Sequence, residues 1–239
     1  MNNDSDIMTL GELASYLKLA KKTILRLVHR RELPSFKVAS QWRFKRSLID
    51  EWIMTRIQDI PSSDLNKLVQ HDRVSVPLSR LLKEEFIILD VAPGTKEEIL
   101  RQLVRPFAEQ NIILDEEAFL EKLLQREEMV STAIGRKVAL PHIRNPRENP
   151  QGGPYLVLAV CKEGTDFGSL DGEATHLFFL LSAGSEVVHL RLMAKITLLL
   201  RKKNVIQGLL AATEARRVIS LILEQERKME LGPKYDEED

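Results

Sequence analysis

Apolar positions in the first part of the chain repeat at helical spacing. Leu10, Leu13, Ala14 and Leu17 mark one face of a helix that Thr9 can cap, with Glu12 three residues beyond the cap. A short break at Lys18–Leu19–Ala20 separates it from a second helix, about Lys21 to Arg31. There Ile24, Leu27 and Val28 share one face, and Arg26 and Arg30, four apart, share another. Leu33–Pro34 ends that helix. Residues 35–44, SFKVASQWRF, alternate around the small-polar pair Ala39–Ser40 and predict a β-hairpin. A third helix is expected from about Ser47 to Arg56, with Leu48, Ile49, Trp52 and Ile53 inward. Residues 57–76, which include Pro61–Ser62–Ser63–Asp64, read as a connector: a linker, or a short docking helix.

Beyond the connector, helix and strand signals alternate. Residues 86–89 (FIIL) predict a short strand. Thr95 and Glu98 form a capping-box pattern before a helix over 96–110, and Asp115 caps another over 116–127. Residues 155–161 (YLVLAVC) and 176–182 (HLFFLLS) are apolar enough for buried strands, and helices are expected over 187–201 and 214–226. The alternation implies an α/β fold, a sheet covered by helices. The expected organisation is a first domain over 1–57, a linker over 58–76, a second domain over 77–228 and a disordered acidic tail over 229–239.

Charge divides the chain where the pattern does. The 35 basic and 35 acidic residues cancel overall. Residues 18–46 nevertheless hold ten Lys or Arg against one acid, Glu32, whereas residues 61–239 carry a net charge of −4. A local basic block in a neutral chain points to an anionic partner for that block. The single cysteine, Cys161, lies in an apolar run and reads as a small core residue. It excludes an intrachain disulfide framework and implies a reducing compartment. The N-terminal MNNDSDIM lacks the pattern of a signal peptide, and no apolar run approaches the length of a membrane span. The expected location is the cytoplasm, with no membrane partner.

A helix, a tight break, a basic helix and a basic hairpin together make the physical recipe for a winged helix-turn-helix. The second helix can enter a major groove while the hairpin lies along the neighbouring backbone. Lys21, Lys22, Thr23, Arg26 and Arg30 would face DNA from the helix; Lys37, Gln41, Arg43, Lys45 and Arg46 would do so from the wing and its exit. The entry LGELASYLKLAKKTI, the turn ELPSFKV and the exit QWRF–x–x–S–L–I–D–E–W resemble the excisionase-type, MerR-like DNA-binding module. One departure is Ala20, where a serine often caps the recognition helix. A footprint this small implies a homodimer on a two-half-site operator.

Two histidines stand out in the second half. By spacing alone His189 is a core histidine, on the face of Leu192, Met193 and Ile196, and His142 is a loop histidine after a buried strand. The stretches LLQREEMVSTAIGRKVALPH and GTDFGSLDGEATHLFFLLSAGSEVVHLRLMAKITLLL, however, resemble enzyme IIA domains of the mannitol, fructose and nitrogen-regulatory type of the sugar phosphotransferase system. The resemblance implies a mixed sheet flanked by helices, and His142 as acceptor of a phosphoryl group from the system's phosphocarrier protein. Arg126 would grip phosphoryl oxygens, His189 would be the second family histidine, and Ser131 and Thr132 would donate hydrogen bonds. No metal and no cofactor is called for, and no Cys/His/carboxylate cluster has metal spacing. Two positions depart from the family: Lys137 stands where it usually has a glycine, and Ile143 where it usually has a small residue. The expected function is a transcriptional regulator phosphorylated on His142. The alternatives are a phosphoryl carrier that the helix-turn-helix merely locates, and a sensor module that has lost phosphoryl transfer.

Overall fold

The computed structural model describes residues 7–17, 19–46, 48–49, 52, 76–143, 152–169 and 171–231. The chain divides into two units, Met1–His71 and Asp72–Asp239.

In the first unit, β1 (Ile7–Thr9) leads directly into α1 (Leu10–Leu17), followed by α2 (Lys21–His29), β2 (Phe36–Val38) and β3 (Gln41–Lys45). The cap at Thr9 closes in both directions. Its N–H donates to Glu12 Oε2 at 2.7 Å, and its Oγ1 accepts from the Glu12 N–H at 3.3 Å. Hydrogen bonds from the Thr9 N–H and hydroxyl hold the Glu12 carboxyl below its ordinary pKa. Helix α2 stops two residues short of the expected Arg31 because Arg31 turns left-handed, with φ 58°. The Arg31 and Glu32 N–H groups then close on the Val28 and Leu27 carbonyls, a Schellman ending. Ala39 and Ser40, at φ 47° and 65°, make the two-residue turn that matches strand twist in a hairpin. Strand β1 was not expected. It pairs antiparallel with β3, giving the order β1-β3-β2. Met8, Leu13, Leu17, Ile24, Val28, Leu33, Phe44 and Ile49 form the buried core. Of the third expected helix, Leu48, Ile49 and Trp52 are helical, as is Arg46 just before it; its other residues lie outside the described ones, as does the connector up to residue 75.

The second unit opens with α3 (Leu78–Leu81), a 3-10 turn at Glu84–Phe86 and β4 (Ile87–Ile88). Next come α4 (Lys96–Glu109), α5 (Glu116–Met129), β5 (Ala133–Gly135), β6 (Val138–Ala139), β7 (Tyr155–Thr165) and β8 (Thr175–Ser182). Three helices finish it: α6 (Glu186–Leu200), α7 (Lys203–Leu210) and α8 (Ala215–Leu231). The mixed sheet runs β4-β7-β8-β6-β5, with β4/β7 and β6/β8 parallel and the other pairs antiparallel. Val157, Ala159 and Cys161 of β7 and Phe178 and Leu180 of β8 share one core with Ile99, Leu103 and Phe107 of α4 and Phe119 and Leu123 of α5. Residues of opposite parity, such as Leu156, Leu158, Leu177 and Phe179, are equally buried, so both sheet faces are covered. Helix α7 touches β7 and β8 and packs against α6 and α8.

Several boundaries differ from the sequence reading. Phe86 belongs to the 3-10 turn, which shortens β4. The stretch before His142 is a β5–β6 hairpin. Helix α7 was not anticipated, although Val205, Ile206 and Leu209 carry a helical spacing. Helix α8 continues to Leu231, so residues 229–231 of the expected tail are helical, and 232–239 lie outside the described residues. The chain enters this unit through a polar clasp. The buried Glu226 carboxylate accepts from the Leu78 and Ser79 N–H groups, and Lys195 Nζ donates to the Val76 carbonyl at 2.9 Å.

Candidate functional site

The β5–β6 hairpin sets the approach to His142. Its turn is left-handed at three successive residues, Gly135 (φ 83°), Arg136 (φ 55°) and Lys137 (φ 69°). Asp171 clasps it: its Oδ2 accepts the Arg136 N–H at 2.8 Å, and a Cβ at Gly135 would lie 2.8 Å from the same oxygen. Donors from Ser169, Arg136 and Glu173 hold the Asp171 carboxyl below its ordinary range. After β6, Pro141 and His142 run on beside β8. The Leu181 N–H donates to the Pro141 carbonyl at 3.1 Å, and His142 bridges to Leu181.

The His142 ring is buried, with 2% of the residue exposed. Its Nδ1 lies 2.8 Å from the Leu140 carbonyl oxygen. A carbonyl can only accept, so Nδ1 carries the proton, and in the neutral ring Nε2 carries the lone pair. His189 sits in the first turn of α6, its N–H donating to the Ser185 carbonyl. Its ring centroid lies 4.9 Å from that of His142, with the planes 50° apart. The loop leading to this turn is tight. A Cβ on Gly184 would lie 2.3 Å from the Gly152 carbonyl oxygen.

The other expected residues lie around the end of α5. Arg126 donates from Nη1 to the Val130 carbonyl at 2.8 Å. The Ser131 hydroxyl donates to the Phe167 carbonyl at 2.9 Å and accepts from the Ala133 N–H. Thr132 turns toward a residue the sequence reading did not single out, Glu127, which is 4% exposed. The Thr132 Oγ1 donates to Glu127 Oε2 at 2.6 Å, and its N–H donates to the same carboxylate at 2.9 and 3.1 Å. Lys96 Nζ stands 3.6 Å from Glu127 Oε1. A signal for Glu127 existed: it falls four residues after Leu123 and seven after Leu120, on the buried face of α5.

The two departures separate. Lys137 is exposed at the hairpin turn, whereas Ile143 is buried and belongs to the hydrophobic core. His176 Nδ1 bonds the Cys161 carbonyl at 3.1 Å, which ties β8 to β7. Among the described residues, no group of three His, Cys, Asp or Glu is placed to hold a metal ion, and no helix is long and apolar enough to cross a membrane.

In the first unit, Lys21, Lys22, Arg26 and Arg30 are exposed along α2, with Thr23 half-buried and Ile24 and Val28 turned inward. Ala20 provides no side-chain cap, and the first two residues of α2, Lys21 and Lys22, are both lysines. The wing residues divide by strand register. Gln41, Arg43 and Lys45 share one face, with Arg43 donating to Gln41 Oε1 at 2.9 Å. Lys37 pairs with Trp42 on the opposite face, its Nζ 4.6 Å from that ring's centre. Arg46 stacks 4.9 Å over the Tyr16 ring.

Comparison with known proteins gives two family matches. Residues 80–225 match the model "Phosphoenolpyruvate-dependent sugar phosphotransferase system, EIIA 2", and residues 7–56 match "Helix-turn-helix domain". A nitrogen regulatory protein of Bradyrhizobium diazoefficiens is 34% identical over 152 residues, covering 62% of this chain and 95% of that protein. The fructose-specific EIIABC component of Bacillus subtilis is 28% identical; its match covers 63% of this chain but only 24% of that longer protein. Among solved structures, the nitrogen regulatory protein IIA-Ntr from Neisseria meningitidis superposes with a TM-score of 0.55 at 23% identity, covering 61% of this chain and 98% of that one. The mannitol IIA of Escherichia coli gives 0.53 at 24% identity, covering 59% and 98%. These two likenesses establish the fold of the second unit.

Proposed function

Because the chain belongs to the phosphoenolpyruvate-dependent sugar phosphotransferase system EIIA 2 family and carries a helix-turn-helix domain, we propose that it is a DNA-binding regulator that accepts a phosphoryl group on His142. The observation that carries this reading is the oriented histidine pair. The Leu140 carbonyl holds the proton on Nδ1, so the Nε2 lone pair is the nucleophile.

In the transfer, the Nε2 lone pair forms a bond to phosphorus as the donor's bond to phosphorus breaks. The Nδ1 proton stays in place. The Leu140 carbonyl then stabilises the positive charge that spreads over the ring. His189, in the neighbouring turn, supplies an N–H donor for a phosphoryl oxygen. Arg126 supplies guanidinium donors, one of which now holds the Val130 carbonyl. Ser131 and Thr132 act chiefly as framework in this reading, since their hydroxyls hold the Phe167 carbonyl and Glu127. Catalysis is positioning plus electrostatic stabilisation. The donor is a phosphocarrier protein of the phosphotransferase system.

The first unit supports DNA as the second partner. Two lysines in the first turn of an uncapped helix oppose the helix dipole, and a backbone phosphate at that terminus would relieve the conflict. Lys21, Lys22, Thr23, Arg26 and Arg30 read the groove from α2, and Gln41, Arg43 and Lys45 follow from the outer face of the wing. Lys37 and Arg46 support the wing through aromatic contacts and reach phosphates at its edge. A homodimer would double this footprint.

Incubation with phosphocarrier, its phosphorylating enzyme and phosphoenolpyruvate tests the acceptor role. Wild type should gain one phosphoryl group by intact mass, and His142→Ala should gain none. An unlabelled wild type would turn the reading toward the sensor alternative.

A further inference from the structure

We propose that Glu127 is a positioning residue for the His142 imidazole, an inference that rests on the reading of His142 as the phosphoryl acceptor. A continuous path of hydrogen bonds joins them. The Glu127 carboxylate takes both the N–H and the hydroxyl of Thr132. The Thr132 carbonyl accepts the Leu140 N–H at 3.0 Å. The Leu140 carbonyl accepts the proton on His142 Nδ1 at 2.8 Å. The links pass through whole residues rather than through single amide planes. What they transmit is therefore position.

Burial gives the path its force. Glu127 is 4% exposed, and an ionised carboxylate so placed demands donors. Three bonds to one residue fix Thr132, and through it the Leu140 carbonyl that selects the ring tautomer. Around this path, Lys96 Nζ stands 3.6 Å from Glu127 Oε1 and partly balances its charge. Arg126 is the adjacent residue on α5, and His189 faces His142 at 4.9 Å between centroids. Glu127 touches no reacting atom. Its role is to keep the reactive lone pair on Nε2.

Ring ¹⁵N chemical shifts of His142, followed against pH in the full chain, read this role directly. In wild type the neutral ring should be chiefly the Nδ1–H tautomer. Glu127→Gln offers a single acceptor and no charge. The ratio of Nδ1–H to Nε2–H should fall about fivefold, the net worth of one hydrogen bond. Should that variant not fold, Thr132→Val, which removes the hydroxyl arm alone, should shift the ratio in the same direction. A folded variant that keeps the wild-type tautomer ratio overturns the proposal. Absence of labelling on wild type would instead refute the acceptor reading and leave the tautomer result standing.

Discussion

Arg136 and Lys137 both hold left-handed backbone at the turn before His142, a region that favours glycine because L side chains crowd the following carbonyl there. Asp171 accounts for Arg136, whose N–H it holds. Lys137 gains no comparable bond from its side chain among the contacts described, and it is exposed. Its carbonyl accepts from the His176 and Leu177 N–H groups, an arrangement that a glycine would preserve. Lys137→Gly should therefore raise the stability of the chain by about 0.5–1 kcal/mol, read as a higher urea midpoint with unchanged slope. A lower midpoint would mean that the lysine side chain stabilises the turn. Ile143 behaves differently. Its side chain fills the core, so its bulk is directed into the fold and serves packing.

Among the elements, α2 carries a conflict between sequence and structure at its start. Its N-cap, Ala20, has extended backbone (φ −65°, ψ 141°) that suits a capping residue, yet it has no oxygen to offer. Ala20→Ser should stabilise the first unit by about 1 kcal/mol, seen as a higher melting temperature for that transition. An unchanged transition would show that the terminus is already satisfied. The elements that local chemistry specifies were legible in the sequence. The Thr9 and Thr95 capping boxes, the Ala39–Ser40 turn and the apolar runs of β7 and β8 all stand where residue type and period place them. Elements made by long-range pairing were not legible. Strand β1 has three residues and exists because Met8 pairs with Phe44. Strands β5 and β6 are two or three residues each, and Lys137 and Arg136 at their turn gave no glycine-like signal. The site shows the same division. The motifs drew attention to His142 and His189, whose rings the fold sets side by side. Glu127 was missed because a charged side chain in a helix reads as solvated until its burial is known.

For the whole molecule, the proposed function joins DNA binding by a basic unit to phosphoryl acceptance by the other. Residues 18–46 hold ten Lys or Arg against a single acid, within a chain of zero net charge. A phosphoryl group adds roughly −1.5 to −2 charges at neutral pH. If the basic unit binds DNA as proposed, that added charge opposes binding, and the effect weakens as salt rises. The most direct measurement is DNA affinity before and after phosphoryl transfer in the same sample, at one stated salt concentration. Phosphorylated wild type should bind DNA more weakly, and His142→Ala treated identically should show no change. Full labelling of His142 with DNA affinity unaltered would contradict it, and would leave a phosphoryl carrier that the helix-turn-helix merely locates.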